Sequence, residues 1–312
     1  MSFNTSALNA YVDQNRKELL AALVAGSNTF DNDFVLIREG IKGGSAQEMK
    51  FFSNTIEWQT GNCPSTASGS TTFTVKNLST TLFNAYDEWC PDDLSGKFPV
   101  LLKAGASNQL DAGEAIVNNI VEQAKRDVAI AAWQGLYNTS GTGDMAGVVS
   151  GWLRKLINTS YSSSTFTVDG TYTSFSSGTA IAIVDDLMAN VPTAIYGKQL
   201  ELHLSPAFYN TLKIALRDSS AIAFNFADGS TDEFTMPGYD NLRVKRDDGL
   251  AGSKAVVVTF AGNLVLGTDL VSDQDNIRFG HDDRVNKDWY RLAVAIGTEI
   301  AFPEHVGVYV SA

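Results

Sequence analysis

The chain has 312 residues, enough for one large or two medium domains with a real hydrophobic core. Apolar residues make up 44% and mark a soluble globular chain, while the 19% of charged residues falls below the usual quarter, the difference being filled by Ser, Thr, Asn and Gly. A formal net charge of −12 without any Lys/Arg cluster excludes a protein that wraps DNA or RNA by neutralising phosphates.

Such a low-charge, Ser/Thr-rich composition fits a surface that meets other protein, and equally a β-rich chain with many turns. No apolar run approaches the roughly 18 residues of a membrane span. The start, MSFNTSALNAYVDQNRKELL, lacks the basic stretch and apolar core of a signal peptide. Cys63 and Cys90 make no disulfide framework and are expected as free thiols in a reducing cytosol. In that setting the sequons at Asn4, Asn77, Asn138 and Asn158 carry no meaning.

In chain order, residues 6–25 predict an amphipathic helix, with Leu8, Tyr11, Val12, Leu19 and Leu23 on one side and Gly26 as its stop. EMKFFSNTIEWQ (48–59) and STTFTVKNLSTTLF (70–83) read as two strands of a hairpin around the turn-rich segment TGNCPSTASG. A ribbon with a polar tip and few large apolar residues is marginal alone and needs something to lie against. Asp111–Asn138 predicts the longest helix, opened by a capping box of Asp111 and Glu114. Ile116, Ile120, Ala124, Val128 and Ala131 share a face that Val117, Val121 and Ala132 widen. That face is expected to pack on a sheet formed by the hairpin base and the strand around Tyr290–Ile300, where Leu292, Val294 and Ile296 alternate onto one side.

Further along, residues 141–157 predict a Gly-rich turn and short helix, 160–178 a Ser/Thr-rich loop and strand, and 179–192 an amphipathic helix. A compact module follows: strand QLELHLS (199–205), helix PAFYNTLKIALRD (206–218) with Pro206 in its first turn, then a long loop to MPGYDNLRVKR. The remainder reads as strands: AVVVTF, NLVLG, DNIRFG, WYRLAVAIGTEIAF and HVGVYV. Early and late strands should pair, which gives an α+β fold.

Catalytic signals are weak. His203, His281 and His305 have no second His or Cys at metal spacing, and His203, between Leu202 and Leu204, reads as a satisfied structural residue. The glycines of GTGDMAG (141–147) follow a helix and miss the spacing of a dinucleotide loop. Asp269, Asp273 and Asp275 lack the Gly and final Glu of a calcium loop, and Ser150 is outside a nucleophile elbow. No catalytic, cofactor-binding or metal-binding residue is assigned, no cofactor is expected, and the chain reads as a non-enzyme.

With its motifs in this order, the sequence resembles the major capsid proteins of tailed bacteriophages with the Hong Kong 97-type fold. The hairpin 48–83 is similar to that family's extended loop, Asp111–Asn138 to its spine helix, and GTGDMAGVV to the Gly-rich exit. LELHLSPAFYNTLKIALRD, PGYDNLRV, AVVVTFAGNLVLGTD and WYRLAVAIGTEIAFPEHVGVYV resemble the later elements, so the likeness runs nearly the full length. The resemblance implies an N-terminal arm (1–30), an extended loop with flanking peripheral-domain strands (31–95) and a peripheral domain with spine helix (96–140). It further implies an axial domain (141–270), strands returning to the peripheral domain (271–302) and a terminal strand (303–312).

It implies a structural subunit that self-assembles as pentamers and hexamers of an icosahedral shell, with the loop and arm lying on neighbours. Packaged double-stranded DNA would be enclosed without sequence-specific contacts. Scaffolding, portal and cement or decoration proteins are the further partners, the location is the virion after assembly in host cytoplasm, and no membrane is involved. Lys42 lies near the hairpin and Lys50 in it, but no covalent cross-link is assigned, and the short arm implies an uncleaved subunit with separate scaffolding. The alternatives are an encapsulin-type nanocompartment enclosing cargo protein and a cytosolic α/β ligand-binding enzyme.

Overall fold

The structure is a computed structural model and describes residues 19, 27–30, 34–55, 70–90, 109–137, 145–168, 170–219, 233–269, 277–282, 284–285 and 287–311. The side chains of 53–55, 109–115 and 160 are outside that description, as are most of the expected N-terminal helix, the hairpin tip and the Asp111/Glu114 capping box. Leu19, in the expected N-terminal helix, is helical and buried in the main core.

The first sheet contains β1 (Val35–Arg38), β4 (Thr81–Trp89), β9 (Leu264–Thr268), β10 (Ile277–Asp282) and β11 (Lys287–Ile300) in the order β1-β9-β11-β10. Pairing is antiparallel except for β1 on β9. β11 is its spine: β4 lies beside Asp288–Ile296 and β9 beside Ile296–Ile300, with β10 on the opposite edge. Early and late strands therefore pair, as the pattern predicts.

The long helix α1 spans Gln109–Gln134, some 39 Å at about 1.5 Å per residue. It ends before the expected Asn138 because Leu136 adopts a left-handed φ of 53° and its amide turns to the Ala146 carbonyl. Its core face meets Leu292, Val294 and Ile296 of β11 and Leu264 and Leu266 of β9 in one apolar cluster. The stripe is rotated from the expected one: Val117 and Val121 are buried, whereas Ile116 and Ile120 are half-buried at its edge.

The hairpin lies on the other face of this sheet, a correction to the expected joint surface under the helix. Side chains alternate across a strand, so Val265, between Leu264 and Leu266, turns away from α1 to pack with Ile41, Met49 and Leu78. The hairpin itself is β2 (Ala46–Thr55) against β3 (Ser70–Ser79), in register from Ala46↔Ser79 to Thr55↔Ser70. The strand expected over 70–83 is broken at Thr80, where the chain leaves the ribbon and enters the first sheet as β4.

The second sheet has the order β12-β8-β5-β7-β6, formed by Gly307–Val310, Ala255–Phe260, Leu200–Leu204, Leu242–Arg246 and Glu233–Thr235. Leu200, Leu202, Leu204, Leu242, Val244, Val256 and Val258 form its apolar face. This face is covered by α3 (Ala180–Ala189) and α4 (Pro206–Asp218). Ser205 caps α4 by accepting from the Phe208 amide at 3.3 Å, with Pro206 at the first turn as the sequence predicts. The short helix α2 (Trp152–Asn158) belongs to the first core.

Three readings need correction. The Ser/Thr-rich segment 160–178 forms no strand among its described residues, only a one-residue bridge from Phe166 to Gly307. β8 and β9, successive strands within the expected unit 141–270, belong to different sheets, and β12, in the expected terminal segment, pairs with β8. Backbone pairing across the turn decides this, and alternation within one strand cannot encode it.

Where the hairpin root crosses the first sheet, the floor is two glycines that face each other across β9 and β11, Gly267 and Gly297. A Cβ on Gly297 would overlap the Ser79 carbonyl, and one on Gly267 would press Leu78 at 3.0 Å. Leu78 and Thr80 are buried there. Gly297→Ala is expected to cost about 1–3 kcal/mol by overpacking. Gly178→Ala, at an exposed glycine with nothing within 4 Å of the added methyl, should stay within about 0.5 kcal/mol of the parent. Chemical denaturation of the two variants checks this; equal midpoints would show that the root does not rest on the glycine pair.

Candidate assembly surfaces and the buried junction

The polar face of the second sheet meets Phe34 and the end of α1 at Trp133. Glu201 and His203 on β5 pair with Arg243 and Lys245 on β7, so four ionisable side chains share one face. Of these, Glu201, His203 and Lys245 are buried, as is Asp247 just past β7. Burial of so many charges is costly unless each finds partners.

Asp247 is the hub. Its Oδ1 accepts from Thr29 Oγ1 at 2.5 Å and from the Gly249 amide at 3.0 Å, and its Oδ2 accepts from Trp133 Nε1 at 2.8 Å. One carboxylate thus joins the 28–30 turn, α1 and the 248–250 turn. Gly249 lets α1 approach: a Cβ there would sit 2.5 Å from Trp133 Cδ1 and 2.6 Å from the Ala129 carbonyl. Gln134 fastens the same contact by donating to the Gly249 and Ala251 carbonyls. Lys245 Nζ lies 3.5 Å above the Phe34 ring, which a desolvated cation favours.

His203 sits inside this junction, fully buried, between the Trp133 and Phe34 rings. The sequence reading expects a satisfied structural residue, but neither ring nitrogen makes a hydrogen bond among the described residues. Nδ1 is 3.4 Å from Asp247 Oδ2 and Nε2 is 3.7 Å from Glu201 Oε2, neither with good hydrogen-bond geometry. Burial depresses its pKa, Asp247 works against that and Lys245 adds to it.

The other candidate groups do not converge. His281 pairs with Asp288 at 2.8 Å on the β10–β11 edge, and His305 packs between Phe260 and Phe302. Among the described residues no three His, Cys, Asp or Glu side chains are placed to hold one metal ion. The Ser150 carbonyl accepts from Thr298 Oγ1, a backbone role. Residues 141–144, Cys63, Asp273 and Asp275 are outside the described residues, and Cys90 is an exposed free thiol. No described helix is long and apolar enough to cross a membrane.

The hairpin divides into a clamped foot and a bare outer part. At the foot, Lys76 donates to the Ile300 and Ala301 carbonyls at 2.8 and 2.9 Å and lies over the Tyr161 ring. Burial lowers the Lys76 pKa, with Glu299 opposing. Glu299 also accepts from Lys155 at 2.7 Å and from the Tyr161 hydroxyl at 3.1 Å. Phe51 packs edge-on against Phe302. Farther out, the directly paired Phe52 and Phe73 are 63% and 74% exposed, and Val75 beside them 52%. The sequence reading expected few large apolar residues here; the ribbon in fact presents an aromatic pair to solvent. Exposed contiguous apolar groups of this kind mark interaction surfaces.

The junction has a pH signature. On unfolding, His203 regains its ordinary value of 6.5 and takes up a proton that the folded state holds off until lower pH. The unfolded state thus binds more protons below about pH 6.5, so stability rises with pH in that window and falls on acidification. Melting temperature should drop from about pH 7 to about pH 5 in the parent and drop less in His203→Gln, which cannot titrate. An unchanged slope in the variant would mean that His203 does not carry this dependence.

No protein-family model matches the chain, and no curated protein matches it in sequence. Solved structures do match. A chain of the satellite phage P4 procapsid, a structure that includes the size determination (Sid) protein, aligns with a TM-score of 0.56 at 12% identity, over 95% of this chain and 98% of its own. The capsid of the native GTA particle aligns at 0.55 and 11% identity, covering 93% and 90%. The capsid of Myoviridae phage XM1 aligns at 0.54 and 11% identity, covering 89% and 90%. Two mixed sheets, a long helix with one buried face and a projecting hairpin, matched along almost the whole chain, give this protein the fold of phage capsid proteins.

Proposed function

We propose that this chain is the structural subunit of a phage shell, assembling as pentamers and hexamers of an icosahedral capsid around double-stranded DNA. One observation carries the reading: on a capsid fold, the hairpin holds an aromatic pair, Phe52 and Phe73, out in solvent while its foot is clamped. Such a pair loses about 1.5–3 kcal/mol per side chain if left wet, and a neighbouring copy is the natural cover. The first sheet with α1 then serves as the peripheral domain and the second sheet with α3 and α4 as the axial domain. Scaffolding, portal and cement proteins complete the partner set, and the working location is the virion, after assembly in host cytoplasm.

A formal net charge of −12 suits a wall that confines DNA rather than binding it. Electron microscopy of purified protein tests the reading: closed shells of uniform size are expected, and a monodisperse small oligomer under all conditions would refute it. Shells filled with a protein cargo and no nucleic acid would move the assignment to a nanocompartment.

The hairpin itself gives a sharper expectation. Phe73→Asp changes an exposed residue, so the melting point of the subunit should stay within about 0.5 kcal/mol equivalent of the parent. Assembly, followed by light scattering, should fail or slow by about tenfold or more, since one buried anchor supplies upwards of 1.4 kcal/mol. Normal shells from this variant would remove the hairpin from the subunit contact.

A further inference from the structure

A groove of about 480 Å³ runs beside the outer edge of β12, lined among others by Leu156, Thr167, Thr171, Tyr172, Val308 and Val310. β12 is the terminal strand of the second sheet, with β8 on one side only. On its open side the chain already supplies one partner. The Phe166 amide donates to the Val306 carbonyl, and its own carbonyl accepts from the Val308 amide. Because hydrogen-bonding directions alternate along a strand, the Val308 carbonyl and the Val310 amide also point away from β8. Among the described residues neither is bonded, and Val310 is 40% exposed.

An exposed edge next to a groove is a template for an added strand. Among the described residues none that lines it is charged. For a chain with a net charge of −12, copies repel wherever acidic surfaces meet, and an uncharged edge is where they approach at least cost. We propose that this groove is a strand-addition site for an extended, uncharged segment of a second copy of the chain, which continues the line that Phe166 begins and bonds Val308 and Val310. The inference rests on the shell reading above but concerns a different surface from the hairpin.

Val310→Pro removes only the outward amide, which no described residue uses, and proline is tolerated on an edge strand. Thr171→Arg places a charge at an exposed position of the groove and serves as the second variant. Both should melt like the parent, yet assemble about tenfold or more slowly, the loss expected for about 1.4 kcal/mol at each contact. In the unmodified protein the Val310 amide should exchange rapidly in free subunits and be protected in assembled particles. Parent-like assembly of both variants, or a Val310 amide that exchanges equally in both states, overturns the proposal while leaving the shell reading intact. Protection that appears only when a different protein is added also overturns it, because the occupant is then not a second copy. Unmodified protein that never associates overturns the shell reading and this inference together.

Discussion

The buried carboxylate of Asp247 is the point on which the arrangement of the two sheets depends. Three donors from separate parts of the chain converge on it: a hydroxyl from Thr29, an indole from Trp133 and an amide from Gly249. Each would cost about 1–3 kcal/mol if left unpaired in so dry a place, so the junction holds as a unit or not at all. The consequence is geometric. α1 packs its middle on the first sheet and its end, through Trp133 and Gln134, on the turn after β7. A single rigid helix thereby fixes one core relative to the other. Asn263 adds a second fastening between the two sheet connections: its side chain donates to Thr259 and to the Phe302 carbonyl and accepts from the Phe302 amide.

A rigid body of this kind gives the hairpin a fixed origin. Its root passes over Gly267 and Gly297, and its foot is held by Lys76 on the end of β11 and by Leu78 beneath. What projects is about half of a ribbon of ten-residue strands, roughly 17 Å at about 3.4 Å per residue. Clamping the foot means that the exposed aromatic pair is presented in one direction, so less ordering entropy remains to be lost when it is covered. In the shell proposed above, where each subunit would meet identical neighbours, direction would matter as much as affinity.

Electrostatics divides the molecule in a consistent way. Most charges that the fold buries lie in the junction, around Glu299 or in the His281–Asp288 pair, whereas the hairpin holds Phe52, Phe73 and Val75 in solvent and the described lining of the groove beside β12 carries no charge. Surfaces with no internal partner are thus the ones that a strongly acidic chain could bring together at least electrostatic cost.

Much of this was legible in the sequence. The hairpin, the long helix, the Ser205–Pro206 helix start and the late strands follow from apolar period, turn residues and capping chemistry, which act over a few neighbours along the chain. The family resemblance rested on that same order, and the matching capsid structures share its fold. Other features depended on contacts between residues far apart in the chain. Nothing local distinguishes Gly267 and Gly297 from other glycines, because their role is set by Ser79 crossing above them. His203 and Asp247 look like ordinary strand and loop residues until Trp133 and Thr29 arrive from over a hundred and two hundred positions away. The assignment of β8 and β9 to separate sheets, and of α1 and the hairpin to opposite faces, was likewise decided by pairing and packing, since alternation tells a strand which of its sides are apolar but not what will cover each.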